Sequence, residues 1–207
     1  FHSFSNHKVQ WTSEAIRLST YLDAAGKSEV QNAMNKAAST PSPIEFFKIK
    51  TDEGVEMDGW MVKPENFNPA KKYPVVFFVY SEPAGANVID RFGVGRNRLY
   101  AGDMRKDGYV YVTIDNRGTP VPKGREWRKS IYRKIGIVNI DDQAKAAKEV
   151  FKMGFIDTSR VAVWGWSGGG SATLNLMFRY PEIYKTGISI AAVAFQLTYD
   201  NIYQERY

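Results

Sequence analysis

A serine held between glycines is the feature of this chain with the clearest chemical meaning. Residues 165–169, Gly-Trp-Ser-Gly-Gly, directly follow the apolar run of residues 161–164. In a sharp turn between a strand and a helix, these glycines leave room where a Cβ would strike a neighbouring element, and the serine hydroxyl stands clear of the sheet. The pattern predicts that Ser167 is a nucleophile. A glycine-rich turn with a bystander serine is the weaker alternative, because a helix-like run, residues 171–180, follows it.

A serine hydroxyl attacks efficiently only when a base, usually a histidine oriented by a carboxylate, accepts its proton. After a Gly-x-Ser-x-Gly turn, the acid and then the histidine are expected further along the chain. Both histidines of this chain precede Ser167 and lie within the first ten residues, and we interpret them as ordinary surface or strand-edge residues. Asp200 and Glu205 follow the serine too closely to be assigned as the acid. We therefore expect the acid and the base beyond Tyr207, and no catalysis by these residues alone.

The segments that must position this turn alternate between strands and helices. Strands are predicted at residues 44–49, 57–62, 74–80, 109–114, 161–164 and 186–192, and helices at 141–153 and 171–180. The first two strands flank a turn signal and predict an antiparallel hairpin, and the continuous apolar runs that follow are typical of buried parallel strands. The alternation predicts a mostly parallel sheet with helices on both faces, and together with the Gly-x-Ser-x-Gly turn it predicts an α/β-hydrolase fold. Asp141, Asp142 and Asp157 are interpreted as residues of turns or helix starts.

The first part of the chain has a different character. Residues 1–6 alternate like the end of a half-buried strand, a short helix is predicted near 28–38, and a Pro-rich linker signal covers 39–43. We place a domain boundary there, between residues 1–42 and 43–207. Because the chain begins without a basic and apolar leader, we expect it to be an internal piece of a longer protein.

Composition narrows the classes of function. The 207 residues, 43% of them hydrophobic, suffice for one well-buried core, and no run is long enough to span a membrane. The chain has no cysteine and no metal-ligand spacing, so the sequence implies neither a metal nor another cofactor. Much of the net charge of +6 comes from residues 123–134. We interpret this segment as a solvated or interface-facing helix rather than a nucleic-acid site.

Several ordered motifs give the chain a resemblance to a known family. They are Trp-Gly-Trp-Ser-Gly-Gly-Gly at 164–170, the aromatic run at 199–207, Lys-Tyr-Pro at 72–74 leading to Val79-Tyr80, Asp-Asn-Arg-Gly at 115–118, and Lys-Met-Gly-Phe-Ile-Asp at 152–157. Together they resemble the dipeptidyl peptidase IV branch of the prolyl oligopeptidase family, in its bacterial form. The resemblance covers residues 44–207 and implies that residues 1–42 are the end of a β-propeller and its connection to the hydrolase domain.

The resemblance implies roles for individual residues. Ser167 matches the nucleophile, and Tyr80 matches a tyrosine whose hydroxyl forms the oxyanion hole with the backbone N–H of Gly168. Without the resemblance, Tyr80 would be interpreted as a core tyrosine that ends a buried strand. Tyr199 and Tyr203, spaced as on one helix face, match the walls of the pocket for the residue before the scissile bond, usually proline. Val193 matches another apolar lining position.

Three departures from the family pattern bear on specificity. Gly168 stands where many relatives have an aromatic residue that helps close the pocket. Gln196 lies near a position often held by tryptophan, and Ser81-Glu82-Pro83 replaces the commoner glycine-rich loop after the tyrosine. Preference for proline is therefore expected to be looser.

The resemblance implies a serine exopeptidase that releases N-terminal dipeptides, preferably after proline. The alternatives are a tripeptidyl, acylaminoacyl or endo-acting member of the family, an esterase of the same fold, and a non-catalytic scaffold. The implied partners are peptides with a penultimate proline and, for the full-length protein, a second copy in a homodimer. The implied location is the periplasm or the cell exterior.

Overall fold

The computed structural model describes residues 44–90 and 99–207. The predicted propeller end and connecting segment at 1–42, with both histidines, lie outside the described residues. No helix of the described part is long and apolar enough to cross a membrane.

Six strands form one sheet. They are β1 Ile44–Lys50, β2 Glu56–Val62, β3 Tyr73–Phe78, β4 Val110–Asp115, β5 Ile156–Trp166 and β6 Thr186–Ile190. Their spatial order is β1-β2-β4-β3-β5-β6. The predicted hairpin is confirmed, with Ile44 opposite Val62 and Lys50 opposite Glu56, and β2 also pairs antiparallel with β4. The remaining neighbours are parallel, as expected when helices connect successive strands.

Four helices belong to the described part: α1 Gly124–Lys129, α2 Val138–Phe151, α3 Gly168–Arg179 and α4 Asn201–Arg206. A 3-10 turn covers Gln196–Thr198. The basic segment predicted as a solvated helix contains α1, which has no buried residue. Because α3 follows β5 at once, Ser167 lies at the junction of strand and helix, as predicted. The α/β-hydrolase fold class is confirmed.

The two faces of the sheet carry different apolar residues because side chains alternate along a strand. Val110, Val112 and Ile114 of β4 pack in one cluster with Ala144, Ala147 and Val150 of α2 and with Ala172 and Leu176 of α3. Tyr111, between them, belongs to the opposite face with Trp60 and Trp164. All six residues of β4 are buried, as the continuous apolar pattern predicts. The core therefore fixes β3, β4 and β5 at the centre of the sheet.

Helix boundaries differ from the sequence-based expectations. Helix α3 begins at Gly168, three residues before the predicted start, so its first turn is Gly-Gly-Gly. Glycine has a low helix propensity, and here tertiary contacts override it. Helix α2 begins at Val138 instead of residue 141.

The interpretation of Asp142 as a turn or helix-start residue was wrong. It lies inside α2, its side chain is 1% exposed, and it binds the guanidinium of Arg117 in a bidentate arrangement at 2.6–3.1 Å. The backbone N–H of Arg117 also donates to it, at 2.9 Å. This ion pair ties the loop after β4 to α2, and the contact joins residues 25 positions apart.

We expect Asp142→Ala to lower the free energy of unfolding of the full-length protein by about 1–3 kcal/mol, because it removes the hydrogen-bonded partner of the partly buried Arg117 guanidinium. Urea denaturation measures the change. The control is Glu56→Ala, which breaks an exposed pair with Lys48 and should produce no measurable change. Equal effects of the two substitutions would contradict this account of the ion pair.

Candidate active site

The predicted nucleophile and its neighbours meet at one edge of the sheet. Strands β3, β4 and β5 are parallel, so the residues that follow their carboxyl ends come together there. Tyr80 lies two residues after β3, Asn116 directly follows β4, and Ser167 directly follows β5. Both Tyr80 and Ser167 are half-buried. In open α/β sheets this edge is where ligands bind.

Ser167 has a strained backbone. Its φ is 59° and its ψ is −120°, in a region that residues with a side chain rarely adopt. Its N–H donates to the carbonyl of Ile190 at the end of β6, at 2.9 Å, and its carbonyl accepts from the N–H of Ser171 in α3, at 3.0 Å. Such strain costs of order 1–3 kcal/mol, and it persists when the surrounding structure fixes the turn. These dihedral angles are those of a nucleophile elbow, as the sequence pattern predicts.

The glycines around Ser167 allow backbones to touch. A Cβ on Gly165 would collide with the carbonyl of Gly169 and would lie 2.5 Å from the carbonyl oxygen of Val79. A Cβ on Gly169 would collide with the same Val79 carbonyl and would lie 3.2 Å from the Cα of Tyr80. The turn after β5 therefore packs directly on the last residues before Tyr80, and the elbow and Tyr80 are near neighbours.

Tyr80 lies in a partly buried and electrostatically negative setting. Burial raises the pKa of its phenol above the ordinary value, and electrostatic interactions with Glu82 and Tyr199 raise it further. The phenol therefore keeps its proton at neutral pH and is available as a hydrogen-bond donor. A tyrosine in this state can stabilise a developing oxyanion.

The loop that carries Tyr80 is held from below by buried polar groups. Ser81 adopts a positive φ of 68°, and its hydroxyl donates to Asn116 Oδ1 at 2.9 Å. The side-chain amide of Asn139 donates to the carbonyl and the hydroxyl of Ser81, at 3.1 and 3.2 Å. Asn139 was not predicted from the sequence, because a lone asparagine in a helix carries no signal for a contact 58 residues away.

Farther along the same loop, the backbone N–H groups of Asn87 and Val88 donate to the carboxylate of Asp115, the last residue of β4, at 2.9–3.1 Å. Burial raises the pKa of its carboxyl, and these N–H donors oppose that rise. The indole of Trp60 donates to the carbonyl of Asn87 at 3.0 Å. The loop from 81 to 88 is thus bound at one end to Asn116 and α2 and at the other end to β4 and β2.

Glu82 is a site residue whose contacts were not predicted. It is 7% exposed, and burial raises the pKa of its carboxyl to about 7. Its Oε2 accepts a short hydrogen bond from the hydroxyl of Tyr203. A Cβ on Gly168 would lie 2.5 Å from its Oε1. The sequence indicated only that the loop at 81–83 is unusual.

The predicted placement of the tyrosines on one helix face is partly wrong. Tyr199 is extended, with φ −86° and ψ −173°, and precedes α4. Asp200 is the N-cap of that helix and accepts from the N–H of Tyr203 at 2.8 Å. The helix therefore begins after Asp200 and does not include Tyr199. The rings of Tyr199 and Tyr203 nevertheless make an edge contact, with centroids 5.3 Å apart. The structure thus brings together Tyr80, Glu82, Gly168, Tyr199 and Tyr203 around the elbow.

Val193 lies beside the same turn. Its N–H donates to the hydroxyl of Ser171 at 2.9 Å, and that hydroxyl donates to the carbonyl of Val193 at 3.1 Å. Ser171 belongs to the first turn of α3, so Val193 is held close to the helix that begins after Ser167. Its side chain is half-buried.

The chain is similar to known proteins in sequence and in fold. Residues 99–207 match the model of the "Prolyl oligopeptidase family". Over 164 residues, 79% of this chain, the sequence is 37% identical to dipeptidyl peptidase 4 of Arthroderma otae and 36% identical to that of Trichophyton equinum. The crystal structure of Porphyromonas gingivalis dipeptidyl peptidase 4 matches 79% of the chain with a TM-score of 0.70 at 38% identity. The chain spans 21% of the length of each fungal relative and 22% of the bacterial one.

We expect Gly165→Ala to destabilise the full-length protein more than Gly108→Ala does. The added methyl group at 165 meets backbone on two sides, whereas at 108 nothing lies within 4 Å and only the positive φ of 81° opposes the side chain. That backbone cost is roughly 1–2 kcal/mol. Thermal denaturation of the two variants measures the difference. A smaller loss of stability for Gly165→Ala would show that the elbow tolerates a wider separation from Val79.

Proposed function

Because the chain belongs to the prolyl oligopeptidase family, we propose that it is part of a serine exopeptidase that releases N-terminal dipeptides, preferably after proline. The observation that carries the proposal is the strained backbone of Ser167 at a strand–helix junction, packed against the residues that lead to Tyr80. The names of the relatives support the dipeptide product, because they are dipeptidyl peptidases. Residues 1–42 are proposed as the propeller end and connection, and 43–207 as hydrolase domain.

In the proposed mechanism, the hydroxyl of Ser167 attacks the carbonyl carbon of the scissile peptide bond. The phenol of Tyr80 and the backbone N–H of Gly168 donate to the oxygen that becomes negative. Gly168 is the first residue of α3, so its N–H needs no partner within the helix and the helix dipole favours negative charge there. The amine leaves, and water then cleaves the acyl-enzyme. A histidine outside this chain would take the proton from the hydroxyl of Ser167 and give it to the leaving amine, and an acid would hold that histidine in the required orientation.

The residue before the scissile bond would lie against Tyr199 and Tyr203, with Val193 as a further apolar contact. The edge contact between the two rings gives a rigid apolar wall. Proline suits such a wall because its ring is compact and apolar. For the full-length protein we further propose a homodimer and a location in the periplasm or outside the cell, on family resemblance.

We expect the full-length protein to hydrolyse dipeptidyl chromogenic substrates that have proline at the second position and a free N-terminus. Ser167→Ala should reduce this hydrolysis to background, because it removes the nucleophile. The control Ser159→Ala removes an exposed hydroxyl that donates only to Asp157, and it should leave the rate unchanged. Faster hydrolysis of blocked peptides, of longer N-terminal fragments or of short acyl esters would replace the proposal with a related peptidase or an esterase.

We expect Tyr80→Phe to lower the turnover number of the full-length enzyme by roughly 100- to 1000-fold, the cost of one lost oxyanion donor, about 2.7–4 kcal/mol. The ring and its packing remain, so the midpoint of thermal unfolding should be unchanged. The control Tyr132→Phe alters an exposed phenol on the segment after α1 and should leave turnover unchanged. A normal turnover number for Tyr80→Phe would remove this residue from the mechanism.

A further inference from the structure

Two departures from the family pattern meet in space. Gly168 lacks the aromatic side chain that many relatives have at this position, and Glu82 replaces part of a glycine-rich loop. The side chain of Glu82 fills the space that a side chain at 168 would need, since a Cβ there would lie 2.5 Å from Oε1 and still closer to Cγ. One departure therefore compensates for the other. The wall beside Gly168 is built by a carboxyl group instead of an aromatic ring.

This carboxyl lies among residues assigned to the substrate pocket. It accepts a hydrogen bond from the hydroxyl of Tyr203, one proposed wall of that pocket. Its charge raises the pKa of Tyr80, the proposed oxyanion donor. The ring of Tyr199 contacts the ring of Tyr203, and Tyr199 also raises the pKa of the Tyr80 phenol. The titratable groups shown around Glu82 are thus phenols, which are neutral at physiological pH.

A buried glutamate is an energetically unfavourable residue for the wall of an apolar pocket. Burial opposes its ionised form and raises the pKa of the carboxyl to about 7. In the part of the chain that the structure describes, no lysine or arginine forms an ion pair with it. One hydrogen bond from Tyr203 leaves further acceptor capacity on its two oxygens. A buried carboxylate without a cationic partner is stabilised when a bound ligand brings a positive charge next to it.

We propose that Glu82 is a specificity-determining residue that extends the substrate class of this pocket from proline to basic side chains. Its carboxylate pairs with the cation of a lysine-like residue that precedes the scissile bond, while Tyr199 and Tyr203 contact the apolar part of that side chain. The inference rests on the proposed peptidase function and on the assignment of this pocket.

The test uses the full-length enzyme and three dipeptidyl substrates that differ only in the residue before the scissile bond: proline, lysine and norleucine. Norleucine has an apolar chain of similar length without the ammonium group, so the ratio of kcat/KM for lysine over norleucine isolates the charge. In Glu82→Gln this ratio should fall by at least roughly 10-fold, because the amide has similar size but no charge. The value of kcat/KM for proline should not fall, because proline has no side-chain cation for the carboxylate to bind. The control is Glu65→Gln, an exposed glutamate on another loop.

The pH dependence of the same ratio in the unmodified enzyme is a second measurement that needs no variant. The carboxyl is neutral below about pH 7 and ionised above it, whereas the lysine side chain stays charged throughout. The ratio should therefore rise as the pH rises through about 7 and should be flat in Glu82→Gln. The catalytic base and the substrate α-amine act on both substrates alike, so their titrations cancel in the ratio.

The outcomes separate this inference from the proposed function. If proline substrates are hydrolysed through Ser167 but the lysine over norleucine ratio neither changes with pH nor falls in Glu82→Gln, the inference is overturned and the peptidase proposal stands. If no substrate is hydrolysed in a manner that Ser167→Ala abolishes, both are overturned. A ratio that falls in Glu82→Gln and not in Glu65→Gln supports the inference.

Discussion

The close approach of residues 165–169, where β5 passes into α3, to the carbonyl of Val79 is the constraint on which the site depends. Gly165 and Gly169 both face that carbonyl, and a methyl group on either would collide with backbone. Backbone atoms cannot move aside as the end of a flexible side chain can, so the contact fixes the distance between the ends of β3 and β5. It also holds Ser167 in a conformation that an isolated turn would not keep.

Hydrogen bonds from buried side chains stabilise the strained backbone at this edge of the sheet. Ser81, another residue with a positive φ, is bound by Asn116 and Asn139, and Asn116 also accepts from Gln143 at 2.9 Å. These partners come from the residue that follows β4 and from α2, so the loop that carries Tyr80 is bound to two parts of the core. A buried polar network is favourable only when its members are satisfied, and it then specifies one arrangement of the loop. The ion pair of Arg117 with Asp142 is a further contact between the loop after β4 and α2.

The fold was predictable from sequence where the pattern is local. The glycines around Ser167, the buried run of β4 and the hairpin of β1 and β2 each carry their signal within a few residues. Asp142, Asn139 and Glu82 were missed or undervalued because their roles come from partners 25 to 121 positions away. Tyr199 was misplaced because the cap by Asp200 competes with the helical spacing of the tyrosines. Local chemistry thus fixes the element, and long-range contacts fix what a polar residue does.

In the proposed function, the proximity of Glu82 to Tyr80 would link the choice of substrate to the rate of reaction. An ionised Glu82 helps the phenol of Tyr80 to keep its proton, but the same charge would oppose the negative oxygen that the phenol is proposed to stabilise. The hydrogen bond from Tyr203 reduces that opposition by spreading the charge. A cation on the substrate would reduce it further at the moment when the oxyanion forms. In such a site a basic residue would improve the transition state as well as binding, and the effect of Glu82 on that substrate would appear in kcat as well as in KM.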